Sequence, residues 1–222
     1  MRQYNIPNLM IRNTEIMPCQ TQKFLGVTLD NKLNFKDHIN FISSKVKSAN
    51  GILWKLSQFC PNEVLTKIYY TLVYPYLIYG VEIWGNSSKT ALDRLSRLVQ
   101  TAQKRTKPNV SNSTPNLHQH LSVPQIHKFF SLIRCYKYYK LKSNNYFCLK
   151  FSSLHPTHDI NTRSNANNQF NTPNINIERV KWSFFYSAYD YWNHLPIPIR
   201  NSENISSFKR RVRQHIGNSV NQ

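Results

Sequence analysis

Glycine is scarce in this sequence, with five residues in 222. That scarcity excludes the phosphate-cradling loops of P-loop and dinucleotide folds, and no Gly-x-Ser-x-Gly elbow marks a serine hydrolase. Acidic residues are scarce too: there are ten, no two of them adjacent. Nucleotidyl transfer needs carboxylates that hold two magnesium ions close together. The nearest candidates, Asp30 and Asp37, fall at a strand end and in the first turn of a helix, where Asp37 is better explained by the helix dipole. No catalytic metal site is therefore expected. The four cysteines, Cys19, Cys60, Cys135 and Cys148, stand far apart without a Cys-x-x-Cys pair, which suits buried free thiols in a reducing compartment. His118, His120 and His127 lack a cysteine or carboxylate at ligand spacing, so no metal is expected there. No apolar run has membrane-spanning length and no N-terminal signal pattern occurs, so the expectation is a soluble intracellular protein, nuclear or cytoplasmic.

Positive charge is abundant. Lysine and arginine number 29, giving a formal net charge of +19, and a polyanion is the default partner for such a chain. The excess is uneven. Residues 89–150 carry 12 basic residues and one acid, Asp93, for a net +11, against +4 in each of 1–88 and 151–222. A generally basic, solvated surface is the plainer alternative, but one acid in that middle stretch favours an electrostatic footprint.

The sequence predicts a mainly α-helical chain that opens with a short β-hairpin. LMIRNTEI (9–16) and FLGVTL (24–29) read as its two strands, with Gly26 marking either a close approach of backbone or ligand or a β-bulge. Phe35, Ile39, Ile42, Val46, Ala49, Leu53 and Leu56 then recur at steps of four and three, the stripe of an amphipathic helix. Asn34 can cap its start, and Lys36, Lys45 and Lys47 lie off the stripe. Gly51 either weakens this helix or permits close packing. Pro61 suits the first turn of a second helix that buries Val64, Leu65, Ile68, Tyr69 and Leu72, and Pro75 should kink or end it. YLIYGVEIWG (76–85) is apolar nearly all round and reads as buried.

Leu92, Leu95, Leu98 and Val99 mark a third helix that shows Lys89, Arg94 and Arg97 on its other side. A fourth opens near Pro124, with Ile126, Phe129, Phe130, Ile133 and Tyr136 inward and Lys128, Arg134, Lys137 and Lys140 outward. The expected organisation is a hairpin (1–33), a helical body (34–151), a polar linker (152–180) rich in Asn, Ser, Thr and Pro, and a less ordered tail (181–222) with an aromatic cluster and a short basic helix. RCYKYYK (134–140) can be read as a phosphate-contacting, base-stacking surface. For Tyr136 and Tyr139 themselves, packing in the core is the better reading.

Several segments together resemble a family. Lys23-Phe24-Leu25-Gly26-Val27, Leu29-Asp30, Leu33, Phe35 and His38-Ile39 are similar to the segment that follows the catalytic palm in reverse transcriptases of non-LTR, LINE-type retrotransposons. Gly51, Leu53, Leu56, Pro61, Ile68-Tyr69, Pro75, Leu77, Tyr79-Gly80 and Trp84-Gly85 resemble the same family's thumb. Trp192-Asn193, Leu195-Pro196, Ile199-Arg200, Ser202 and Phe208-Lys209 resemble its C-terminal tail.

The resemblance implies that Phe24, Leu25 and Gly26 form a primer grip and that the following helix begins a thumb. It also implies that Lys36, Lys45, Lys47 and Lys55 line an RNA–DNA hybrid, with Arg94, Arg97, Lys137 and Lys140 as further nucleic-acid contacts; lysines on a rigid helix meet phosphates without reading sequence. The family's palm carries a Tyr/Phe-Ala-Asp-Asp box and an earlier aspartate, and neither occurs here. The chain is thus expected to be the primer- and template-holding part of an RNA-directed DNA polymerase, a fragment without catalytic residues. The Mg²⁺ of the full-length enzyme would be held by the missing palm, and the fingers and palm are implied partners. Two alternatives stand beside this reading: a stand-alone nucleic-acid-binding module, and a decayed remnant without molecular function. An exposed apolar patch on the hairpin and first helix would favour the remnant.

Overall fold

A computed structural model describes residues 9–106, 121–140, 169–170 and 183–218. The architecture is mainly helical, with short strands only at the start, as expected. The strand pairing differs in detail. β1 (Leu9–Ile11) pairs with β2 (Thr14–Ile16), and β3 (Thr21–Phe24) pairs with β4 (Val27–Asp30), so two hairpins form instead of one. Each run folds on itself because its central dipeptide has positive φ at both positions: 47° and 66° at Arg12-Asn13, 45° and 85° at Leu25-Gly26. That backbone matches the twist of a two-residue hairpin. Gly26 therefore sits in a turn next to the regular pair Phe24–Val27 and not in a bulge.

α1 (Lys36–Leu56) buries the expected stripe, with Ile39, Ile42, Val46, Ala49 and Leu53 in the core. Its start is organised by Asp30 and not by Asn34. The Asp30 carboxylate accepts hydrogen bonds from the backbone N–H groups of Lys32 (3.0 Å), Asn34 (3.1 Å) and Phe35 (2.7 Å). Leu33 and Phe35, at φ 51° and 54°, fold the connection back over this carboxylate, which orders the approach to α1 although no side chain caps the helix itself. Burial raises the Asp30 pKa and is the largest single influence, but the backbone donors together outweigh it and hold the group below its ordinary value.

α2 (Asn62–Leu72) follows Pro61 and buries Leu65 and Tyr69, whereas Val64 and Leu72 face outward. The helix stops before Pro75. It resumes as α3 (Tyr74–Ile78) and, after Gly80 at φ 60°, as α4 (Val81–Trp84). This stretch is only half buried. Val73, Leu77, Val81 and Trp84 point inward at steps of four and three, while Tyr76, Tyr79 and Ile83 are exposed. α5 (Lys89–Arg105) packs along α1. Ser87 Oγ donates to the Asn34 carbonyl near the start of both helices, and Asn50 Nδ2 donates to Leu98 O further along (2.9 Å), so α1 and α5 run in the same direction.

α6 (Val123–Lys140) is the central helix, packed against α3, α4, α5 and two helices of the tail. The tail forms α7 (Phe184–Asn193), α8 (Ile197–Arg200) and α9 (Ile205–Asn218). One hydrophobic core runs through body and tail. Trp192 and Phe208 are fully buried, and the Tyr136 ring stacks on Phe208 at 4.4 Å between centroids. Phe170, within the expected linker, is buried among Tyr139, Tyr189 and Trp192, and its backbone exchanges two hydrogen bonds with the Asn193 amide. The rest of the expected linker, together with Cys148, His118 and His120, lies outside the described residues.

Candidate nucleic-acid interface

Two of the sequence motifs meet in space. Tyr79 Oη donates to the Leu25 carbonyl at the tip of the β3–β4 hairpin. A Cβ on Gly26 would lie 3.1 Å from the Tyr79 ring, and one on Gly80 would lie 3.2 Å from Val27 Cγ2. Both glycines are also at positive φ, so the Leu25-Gly26 turn and the Tyr79-Gly80 corner fit each other because neither carries a side chain at the seam. Gly26 does mark a close approach, and the neighbour is the chain's own tyrosine ring. The tip projects Phe24 and Leu25 to solvent, 62% and 76% exposed.

The cations fall into three groups. By helical periodicity Lys36 and Lys47, three turns apart, share the edge of α1 that adjoins α5, since Ser43 and Asn50 lie on the same side. Arg94 is on the edge of α5 that adjoins α1, beside Leu98, and Arg97 is one turn further round. These four side chains are exposed, and periodicity sets them on the solvent side of the seam where α1 and α5 pack. Asp93 is the one acid of α5.

Lys45 lies on the opposite edge of α1, near the hairpin. Its Nζ stands 5.4 Å from the centre of the Phe41 ring, and Lys23 Nζ from β3 stands 5.9 Å from the same ring. Lys55, in the last turn of α1, lies between the two edges. The third group is on α6, away from α1: Arg134 forms a 3.1 Å ion pair with Glu82 of α4, Lys137 is exposed one turn on, and Lys140 lies over the Tyr139 ring at 5.4 Å. The structure thus gathers Lys36, Lys47, Arg94 and Arg97, sets Lys45 beside the hairpin, and leaves Lys137 and Lys140 elsewhere.

The aromatic reading of 134–140 resolves in favour of packing. Tyr136 is buried and donates to the Ser202 carbonyl (2.9 Å), and Tyr139 packs against Phe170 and Trp192. Phe41 and Tyr76 are among the aromatics that do reach solvent, in edge contact at 6.4 Å, with Lys23 and Lys45 at the Phe41 ring. Sequence reasoning did not single them out. Phe41 carried a usable signal, because it lies off the buried stripe of α1.

No group of three or more His, Cys, Asp or Glu side chains is close enough to hold a metal among the described residues. Asp30 is committed to backbone donors, and His127 is buried with Nδ1 3.3 Å from Tyr191 Oη, its pKa pushed down to about 4 by burial. The described residues do not fit the Mg²⁺ of a polymerase. No helix among the described residues is long and apolar enough to cross a membrane.

No family model matches the chain, and no solved structure matches it. Two curated proteins of Drosophila melanogaster do. The RNA-directed DNA polymerase from the mobile element jockey is 32% identical over 101 residues, which is 42% of this chain and 10% of that protein. The probable RNA-directed DNA polymerase from transposon BS is 28% identical over 85 residues, 37% of this chain and 9% of that protein. The chain spans about a tenth of the length of the curated relatives it matches. It is similar to a segment of the reverse transcriptases of non-LTR retrotransposons, as its motifs implied.

Proposed function

We propose that this chain is the primer- and template-holding part of a non-LTR retrotransposon reverse transcriptase, and that it grips an RNA–DNA hybrid. The observation that carries this reading is the packing of α1 along α5, with Lys36, Lys47, Arg94 and Arg97 exposed and set by helical periodicity on the solvent side of that seam, on the same helix that the β3–β4 hairpin docks against. A polymerase must hold a duplex whose sequence changes at every step, and cations on paired rigid helices do so through phosphate alone. The catalytic carboxylates and their Mg²⁺ would come from a palm that packs on the hairpins, where Met10, Ile11, Met17, Phe24 and Leu25 stand exposed. Apolar exposure there is also what a decayed remnant would show. Against that alternative, the tail packs into one hydrophobic core with the helical body among the described residues.

The test is binding of the purified chain to a fluorescently labelled RNA–DNA hybrid over a salt series. Replacing Lys36, Lys47, Arg94 and Arg97 with alanine should flatten the slope of log affinity against log salt, by roughly 0.9 for each phosphate contact removed. These side chains are exposed, so the fold should be untouched. An unchanged slope would remove the seam from the interface.

A further inference from the structure

Beside the hairpin tip lies a cavity of about 340 Å³, bounded by Lys23 and Gly26 of the hairpin, His38 and Phe41 of α1, and Tyr76 and Tyr79 of α3 and its end. Three features of it have no role in the fold. Phe41 and Tyr76 present aromatic surface to solvent at its wall, 42% and 37% exposed. Lys23 and Lys45 bring two ammonium groups to the Phe41 ring. His38, only 3% exposed, has a ring nitrogen, Nε2, that is buried without a hydrogen-bond partner among the described residues.

The state of His38 follows from its other nitrogen. The Thr28 backbone N–H donates to Nδ1 at 3.4 Å, so the proton of the neutral ring sits on Nε2, which faces away from the strand. Burial, with the Lys23 charge adding to it, lowers the pKa and keeps the ring neutral at pH 7.

Resting on the reading that this face holds nucleic acid, we propose that the cavity receives one unpaired nucleobase from a strand that extends past the end of the hybrid. The base would stack on the Tyr76 ring with Phe41 meeting it edge-on and the neutral His38 ring in the cavity lining, and leave its phosphate to Lys23 and Lys45. Aromatic walls with flanking cations are the chemistry that takes up single-stranded bases without strong sequence preference. An apolar side chain from another protein would fill the same space but leave the two ammonium groups unused.

The experiment compares a blunt RNA–DNA hybrid with one carrying a single 2-aminopurine nucleotide overhang, read by affinity and by quenching of the 2-aminopurine on stacking. The wild-type chain should bind the overhang hybrid on the order of tenfold more tightly, as expected for one stacked base, with quenching. Phe41→Ala and Tyr76→Ala, both at exposed positions, should each pull the affinity ratio toward one. If one variant fails to fold by circular dichroism, the other carries the test. Salt-dependent binding of the blunt hybrid without overhang preference or quenching would overturn this inference and leave the proposed function standing. Absence of binding by either hybrid would overturn both.

Discussion

The two ends of the described chain treat apolar side chains in opposite ways. At the N-terminal hairpins Met10, Ile11, Met17, Phe24 and Leu25 all face solvent, whereas in the C-terminal tail Tyr189, Trp192, Leu195 and Phe208 are buried against α6. Burial of large side chains is the main stabilising term available to a fold, so the tail closes the domain. The hairpins contribute little to it beyond Val27 and the seam with Tyr79-Gly80. A segment that forgoes burial while holding a tight two-residue turn beside Lys23 and Lys45 is where the proposed function puts contacts with other molecules.

The contrast can be broken most forcefully at the tail. Trp192→Ala should cost about 3–5 kcal/mol, the range for a large aromatic truncated in a core, measured by urea unfolding, whereas Leu25→Ala should change stability by less than about 0.5 kcal/mol. Comparable effects at both sites would erase the distinction.

Gly85→Ala comes next. A methyl group there would meet the Val81 carbonyl and lie 2.7 Å from His127 Cδ2, so α4 and α6 must part, at about 1–3 kcal/mol. This is the packing reason for a glycine after Trp84.

Acid should act on the buried histidines, at the tail interface and under β4, before it reaches the Asp30 carboxylate. His127 titrates at about 4 in the fold against an ordinary 6.5, because burial disfavours its charged form. Its contribution is fully present above 6.5 and is lost as pH falls from there toward 4. His38 and His215, both lowered, act in the same direction. Asp30, held below 3.8, gives way only in stronger acid. A melting temperature that declines from pH 6.5 downward, with a shallower decline in His127→Gln, is the expected outcome.

The smallest effect is expected at Gly51. Nothing lies within 4 Å of a Cβ built there, so Gly51→Ala should stabilise α1 by about 0.5–1 kcal/mol. A loss of stability would point to a packing role that the structure does not contain.

Much of this was legible in the sequence, and the remainder was hidden for definite reasons. The stripes of α1 and of α9, with Phe208, Val212 and Ile216 buried, follow from periodicity alone. The pairing of the strands did not, because it is decided by positive φ at Leu25, a residue with no turn signature of its own. The cap of α1 was misassigned because no side chain caps the helix and Asp30 orders its approach from the preceding strand. The tail looked separable because its aromatics find their partners on α6, a contact that no local pattern reports. Within the interface, Lys36, Lys47, Arg94 and Arg97 could be nominated one by one, but their union depends on α1 and α5 running in parallel. Tyr76 was concealed in a stretch that reads as uniformly apolar.

The central claim is that the hairpin and the α1–α5 seam form the working surface while the tail serves the fold. Hydrogen exchange of the chain with and without an RNA–DNA hybrid tests it directly. The account predicts slowed exchange in 21–30, in α1 and in α5 on adding hybrid, with α7 and α9 unchanged. Protection confined to α9, where Lys209, Arg210 and Arg211 are exposed, with the hairpin and α1 unaffected, would contradict it.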